Sequence, residues 1–397
     1  MTKVKENELI VELKKRLRKL DEEVSVLGTE LRNRRLSVSR TLNAVAYKIC
    51  SVSYLSKLEH NKINPNLAYI NEISKKLSLS DEAVEVLMKS KSLLLEVVEA
   101  YLDGDMEVLE NSYNACEGLN NYRMELVRVI VEVSVGHYYD ALEICDRLMS
   151  LLTSMSEIDL YVFTLFRGVI HFYYSEFKEA IDSFLVLRDC PVNSIMAIIR
   201  DKFMFLSYQA LNMPDTDYEY NHLVNELLEA GRYEEIEYAR YVMAMYLLKN
   251  NSFDAYKRLR SGLHEVFYVN SLDLMEKYFK HEDIDYTKID NEISNNFLIG
   301  LKAIYTNDPQ LEMVLSAIEH LEYDPGTDYL ILKYLSLRTD LERYKFLINE
   351  AFPHLELTNE RYFIKYFLNE LSRLCQIQGR YKIFSDIYFK FVDSRGI

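Results

Sequence analysis

Along most of this chain apolar residues recur at steps of three and four, and almost nowhere at alternate positions. That pattern predicts helices throughout and scarcely any strand. The first stretch is residues 6–23, where Leu9, Leu13, Leu17 and Leu20 form a narrow seam among Lys14, Lys15, Arg16, Arg18 and Lys19. It predicts a charged amphipathic helix, packed on its own domain or serving as a dimer contact or phosphate-facing arm. A second helix is expected at about residues 27–35. Between Thr41 and Leu77 the rhythm shortens. Leu42, Val45, Ala46 and Ile49 share one stripe, and Val52, Leu55 and Leu58 begin another only three residues later, so two short helices are implied. Ser51 stands where it would cap the second. Further on, Ser80 precedes Asp81 and Glu82 as the cap of a new helix, and helical segments then alternate with short turns at a period of about 38 residues.

Composition agrees with this reading. Eleven Gly, six Pro, no Trp, 31 Tyr and 18 Phe in 397 residues fit a nearly all-helical chain with short connections, too long for one ordinary core. Charge adds a division. Residues 1–80 carry 16 Lys+Arg against 9 Asp+Glu, a net of +7, while the remainder carries −22, together the −15 of the whole chain. A basic head on an acidic body suits a phosphate-binding module fused to a domain that does not bind nucleic acid. The sign changes near Ser80, so a DNA-binding domain is expected over 1–79 and a repeat domain over 80–397, joined through helix with no long flexible linker.

The clearest repeat unit is YVFTLFRGVIHFYYSEFKEAIDSFLVL, residues 161–187, with Gly168, then Ala180 twelve residues on and Phe184 four after that. This resembles the spacing of tetratricopeptide repeats, in which small residues let two antiparallel helices approach and a bulky one fills the gap between neighbours. Related phrases centre on Ala141 (HYYDALEIC) and Ala255 (NSFDAYKRL), DTDYEYNHLVNELL fits between, and GRYKIFSDIYFKF is similar near the end. Val129 and Met243 stand where small residues are expected. The fold expected is therefore all-α, a helix-turn-helix domain followed by a degenerate tetratricopeptide-like solenoid, with an unrelated helical bundle as the alternative. In such repeats the first helix of each unit lines a groove. Projected from Ala180 and Ala255, the candidate peptide-binding residues are Leu165, Val169, Phe172 and Tyr173, then Glu237, Arg240 and Ala244. An aromatic-lined trough with charged groups suits an extended peptide, though an aromatic stripe at helical spacing is more often a core pattern.

The words ICSVSYLSKLE, followed by HNK, a proline and a further amphipathic helix, resemble the Xre/Cro-type helix-turn-helix of Gram-positive regulators over about residues 27–77. The resemblance implies a DNA-contacting set of Arg40, Thr41, Ser51, Val52, Ser53, Tyr54, Ser56, Lys57, Lys62 and Asn66. Within it Thr41 and Tyr54 would touch the DNA backbone, Val52, Ser53 and Lys57 would face bases, and Lys62 and Asn66 would meet phosphate. This chain departs from the common pattern in the turn, where Lys48, Ile49 and Cys50 stand with no glycine. Head and repeats together resemble the Rap, Rgg, NprR, PlcR and PrgX group. Membership implies a homodimer that binds double-stranded DNA and whose repeats bind a short secreted and re-imported peptide.

Other chemistry is not indicated. Cys50, Cys116, Cys145, Cys190 and Cys375 are odd in number, far apart and mostly in apolar runs, as in reduced core residues of a cytoplasmic protein. No apolar run approaches a membrane span of about 20 residues, and residues 1–20 are too charged for a signal peptide. The eight histidines show no HExxH and no paired carboxylate–histidine spacing, there is no CxxC, HEDID at His281 reads as a charged loop, and neither a phosphate-binding GxxxxGK[ST] loop nor a GxSxG elbow occurs. No catalytic residue, metal ligand or cofactor is expected. Two other readings remain open: a protein-interaction scaffold with a vestigial helix-turn-helix, and an enzyme such as a phosphatase acting on a response regulator.

Overall fold

The computed structural model describes residues 26–397 apart from 61, 64, 191, 290–295, 320–326, 358–360 and 396–397. Every regular element among the described residues is helical. The helix expected over residues 6–23, with Leu9, Leu13, Leu17 and Leu20, lies outside them. The chain divides into two compact units, Met1–Phe203 and Met204–Ile397, and the expected DNA-binding domain falls in the same unit as the first repeats.

The first unit opens with α1 (Leu27–Ser37), α2 (Leu42–Ala46), α3 (Val52–Glu59) and α4 (Leu67–Lys76). Both α1 and α2 pack on α3, and α2 packs on α4. Leu31, Val45, Ala46, Leu55, Leu58, Ile70 and Ile73 are buried, recurring at the three- and four-residue steps read from the sequence. Next comes α5 (Asp81–Met88), whose Ser80 cap accepts from the Ala83 N–H at 3.1 Å. It packs on α1, α4 and the following helix, so the joint is made through helix.

Three hairpins follow: α6 (Ser90–Asp103) with α7 (Met106–Ala115), α8 (Tyr122–Ser134) with α9 (Tyr138–Leu148), and α10 (Glu157–Tyr173) with α11 (Phe177–Leu187). Each first helix packs on its own partner and on the first helix of the next pair. After α12 (Ser194–Ala210), the second unit holds α13 (Thr216–Glu229), α14 (Tyr233–Lys249), α15 (Phe253–Arg260), α16 (Val266–Phe279), α17 (Asn296–Tyr305), α18 (Leu311–Glu319), α19 (Thr327–Ser336), α20 (Asp340–Phe346), α21 (Phe352–Leu357), α22 (Arg361–Gln378) and α23 (Tyr381–Arg395). Here α14 pairs with α15, α17 with α18 and α22 with α23. The last pair is the GRYKIFSDIYFKF phrase, while the α17–α18 pair has no sequence phrase of its own.

The repeat is written in the backbone more regularly than in the side chains. Gly136, Ser175, Asn212 and Asn251 all have positive φ and lie 39, 37 and 39 residues apart. The N–H that follows each one donates back five residues: His137 to Glu132 O, Glu176 to His171 O, Met213 to Tyr208 O and Ser252 to Leu247 O, at 2.8 to 3.0 Å. This is the Schellman closure, which satisfies a free carbonyl at the helix end and reverses the chain. It also corrects one register. Ala180 lies five residues after Ser175, and five after Asn251 is Tyr256, not Ala255. Tyr256 is fully buried, whereas Ala255 is half-exposed.

The correction explains an apparent mismatch. Twelve residues before Tyr256 stands Ala244, not Met243, so a small residue does occupy the position equivalent to Gly168. In the clearest unit the close approach is at Gly168, where an added Cβ would lie 2.6 Å from the Phe184 ring. Phe184 is itself buried and stacks on Phe203, with centroids 6.4 Å apart.

Beneath the first repeats lies a buried ion pair. Arg123 donates from Nε to Asp159 Oδ1 at 2.9 Å and from Nη2 to Oδ2 at 2.7 Å, and both side chains are almost wholly enclosed. Burial opposes the Arg123 charge, but the Asp159 carboxylate more than offsets it and holds the guanidinium above its ordinary value. Tyr122 and Ser156 hydroxyls also donate to Asp159, at 2.9 and 2.7 Å. Ser156 caps α10, so the pair joins the starts of α8 and α10.

Three substitutions test this packing. Gly168→Ala lowers stability by about 1–3 kcal/mol through overpacking, despite the gain in helix propensity. Ser175→Gly at the left-handed turn leaves stability unchanged or raises it by up to about 1 kcal/mol. Asp159→Ala strands Arg123 and costs about 3–5 kcal/mol. Denaturant unfolding of the full chain measures all three.

Candidate nucleic-acid interface

Thr41 caps α2, its hydroxyl accepting from the Ala44 N–H at 3.2 Å. That helix ends at Ala46, earlier than the stripe through Ile49 suggests. The chain then turns at Lys48, which adopts φ +63 where a glycine would be the easier residue. Lys76 of α4 holds the turn by donating from Nζ to the carbonyls of Val45 and Tyr47, at 3.2 and 2.5 Å. Ser51 then caps α3, accepting from the Tyr54 N–H at 3.1 Å. Beside it the half-buried Cys50 thiol is pushed up by burial and stays protonated.

The inner side of α3 is fixed by Leu55, Leu58 and Glu59, all buried. Glu59 accepts from Arg35 of α1 in a two-point bridge, Nε to Oε1 at 2.7 Å and Nη2 to Oε2 at 2.8 Å. The hydrogen bond to Glu59 raises the Arg35 pKa against the opposing effect of burial. A third Arg35 donor reaches the Arg40 carbonyl at 3.0 Å, so α1 holds both the far end of α3 and the lead-in to α2.

The outer side carries Val52, Ser53 and Lys57, all exposed; Val52, which the stripe pattern placed with Leu55 and Leu58, is 41% accessible. Ser51 and Lys62 are exposed and Ser56 is half-buried. Across residues 38–79 six Lys+Arg stand against two Asp+Glu, one of which is the Glu59 already paired. The first backbone N–H groups of α3 lack partners within the helix, so this edge presents donors and positive charge together.

Several of the expected contacts serve the module itself. Tyr54 accepts from the Asn66 N–H at 3.0 Å and sets its ring edge-on to Tyr69, centroids 5.2 Å apart. Asn66 caps α4 through Ala68 N–H at 3.0 Å. Arg40 donates to the Lys76 carbonyl at 2.8 Å, closing the end of α4. Thr41, Ser51, Tyr54, Asn66 and Arg40 thus position α2, α3 and α4, and Val52, Ser53 and Lys57 form the edge they present.

The expected groove residues fare differently. Leu165, Val169 and Ala244 have no accessible surface and Phe172 has 6%. They are core residues: Ala244 is the small residue of its hairpin, and Phe172 meets Phe177 and Phe203 edge-on at 5.5 and 5.2 Å. Tyr173, Glu237 and Arg240 remain half-exposed. Tyr173 stacks on Tyr138 at 4.3 Å, Arg240 donates to the Gly262 carbonyl at 3.0 Å, and Glu237 accepts from the His264 N–H at 3.2 Å.

Sequence spacing missed two histidine–carboxylate pairs at hairpin turns. His137 Nδ1 lies 3.0 Å from Glu132 and His171 Nδ1 lies 2.6 Å from Glu176. They fall five residues apart, across the left-handed residue, where no helical periodicity would reveal them. With the exposed Asp140, Glu132 and His137 bring three potential metal-ligand atoms within 4.8 Å of one another. No described helix is long and apolar enough to cross a membrane.

No protein-family model matches the chain and no curated protein matches it. A similar solved structure is that of Bacillus thuringiensis PlcR in complex with the peptide PapR7 and DNA: 15% identical, TM-score 0.37, over 65% of this chain and 98% of that one.

The division between positioning and presenting residues has a direct test. Tyr54→Phe removes a hydrogen bond between α3 and α4 and costs about 1 kcal/mol, whereas Ser53→Ala shifts stability by less than about 0.5 kcal/mol. Chemical denaturation followed by circular dichroism measures both.

Proposed function

We propose that the chain is a sequence-specific DNA-binding transcription regulator of the cytoplasm, acting as a homodimer whose repeats sense a short peptide. The observation that carries this reading is the contrast between the two sides of α3. Its inner side is locked by Leu55, Leu58 and the Arg35–Glu59 bridge, and its outer side offers Val52, Ser53 and Lys57 with nothing of the module's own core upon them. A rigid helix with an exposed edge of small, apolar and cationic side chains fits a major groove, where an apolar group meets a thymine methyl and hydrogen-bonding groups meet base edges. The basic charge of the module then supplies the attraction to phosphate that precedes reading. One such helix spans too few bases for selectivity in a genome, hence two copies on half-sites about 34–36 Å apart or a multiple of that.

The peptide part rests on the hairpin series and, in each unit taken by itself, on half-exposed side chains of the kind an extended peptide uses as anchors: the aromatic Tyr173 in the first unit, and the charged Glu237 and Arg240 in the second. No step of this function calls for a cofactor or a catalytic residue.

Selection from a random duplex library at physiological salt tests the DNA reading. The expected result is a pseudo-palindromic consensus; binding without sequence preference contradicts it. On the selected duplex, Lys57→Ala is expected to relax preference at one base position per half-site. A uniform loss with a salt slope smaller by about 1 would instead assign Lys57 to phosphate.

A further inference from the structure

Glu30 is a buried carboxylate on α1, accessible to only 1%. It takes no part in the outer edge of α3 or in the Arg35–Glu59 bridge. Its partners lie some ninety residues away, in the segment that leads into α8. Glu30 Oε2 accepts from the Asn120 N–H at 3.0 Å and from Asn121 Nδ2 at 3.4 Å. One turn along α1, Asn33 Nδ2 donates to the Asn120 carbonyl at 2.9 Å. The backbone N–H and C=O of Asn120 are therefore both held by α1.

The same segment is the start of α8. The Asn121 side-chain oxygen accepts from the N–H groups of Arg123 and Met124, at 3.1 and 3.2 Å. Arg123 is the buried cation bridged to Asp159 at the start of α10, and its Nη1 also reaches Ser90 Oγ of α6 at 3.1 Å. An unbroken run of buried hydrogen bonds thus leads from the module to the first helices of three successive hairpins. Such a run has few intermediate arrangements, because each buried polar group left unpaired carries its full desolvation cost.

α1 has a second grip. Five residues after Glu30, about 140° round the helix, Arg35 holds Glu59 of α3. One short rod therefore has the repeats on one side and the reading helix on the other.

We propose that Glu30 is a positioning residue for DNA binding: through α1 it sets the angle at which α3 meets the duplex, and the repeats control binding by shifting the Asn120–Asn121 segment that Glu30 grips. This rests on the DNA-binding reading and names how that site is regulated. A ligand that moves the start of α10 against α8 pulls on Asp159, Arg123 and Asn121 in turn, and so on α1. Each recognition helix stays intact, and what changes is whether two of them reach their half-sites together.

The test uses the full chain carrying Glu30→Ala or Glu30→Gln. Affinity is measured on the selected duplex and on a duplex holding one half-site. Glu30→Ala is expected to leave half-site affinity within about twofold while full-site affinity falls about tenfold or more, since simultaneous engagement depends on geometry. Glu30→Gln keeps a carbonyl acceptor for the Asn120 N–H and is expected to recover most of the loss. Equal losses on both duplexes would reduce Glu30 to a folding residue, and no loss on either would remove it from positioning; both results overturn the proposal. Amide hydrogen exchange supplies a readout that needs no DNA. Glu30→Ala should speed exchange in α1–α4 and leave α8 and α10 protected; an unchanged α1–α4 would overturn the latch. Should the wild-type chain select no duplex at all, the DNA-binding reading fails on its own, and the exchange result still decides whether Glu30 joins module to repeats.

Discussion

The bridge between Arg35 and Glu59 is the constraint on which the four-helix module α1–α4 depends. Without it α3 is eight residues long, too short to hold its own conformation in water. With it, the far end of that helix is pinned to α1 by two charge-assisted bonds under cover of the core, while Ser51 secures the near end. An exposed pair of this kind would contribute little. This one is enclosed, so removing either partner would leave a buried charge uncompensated, and the geometry is correspondingly strict. Lys76, Arg40 and Tyr54 tie the remaining helices around it by their polar ends, and the edge bearing Val52, Ser53 and Lys57 is what these ties leave uncovered.

The repeats rest on a different device. Each helical pair is closed by one left-handed residue whose following N–H returns to the preceding helix, and in the clearest pair the helices approach until a glycine meets a ring. Gly168 lies under Phe184, and the equivalent position in a later hairpin is the buried Ala244. In both hairpins the small residue stays on the first helix, while the facing position on the second helix changes from Ala180 to Tyr256. Such an array is held by neighbour-to-neighbour contacts.

Much of this could be read from the residues. The caps at Ser51 and Ser80 are local chemistry, since a side-chain oxygen three residues from an N–H needs no knowledge of the fold; Thr41 and Asn66, read only as DNA contacts, cap α2 and α4 by the same chemistry. The hairpin phrases were legible for the same reason, and so was the all-helical class. What escaped was non-local. The phrase around Ala255 is displaced by one residue because alanine is the visible marker, whereas the backbone turn at Asn251 sets the register. Projecting a groove from that marker, and from Ala180, gathered Leu165, Val169, Phe172 and Ala244, which face neighbouring helices and are buried. Periodicity distinguishes an apolar side from a polar one but not a groove from a core. No local pattern marks Glu30, because its partners Asn120 and Asn121 are about ninety residues off.

The account stands on the outer edge of α3 being the surface that meets DNA. A photoreactive side chain placed at Val52, with the same group at the exposed Tyr139 as reference, tests this most directly when each variant is irradiated with the selected duplex. The account expects adducts to bases from position 52 and none from position 139. Adducts from position 139 alone, or a duplex bound with no adduct at 52, would contradict it.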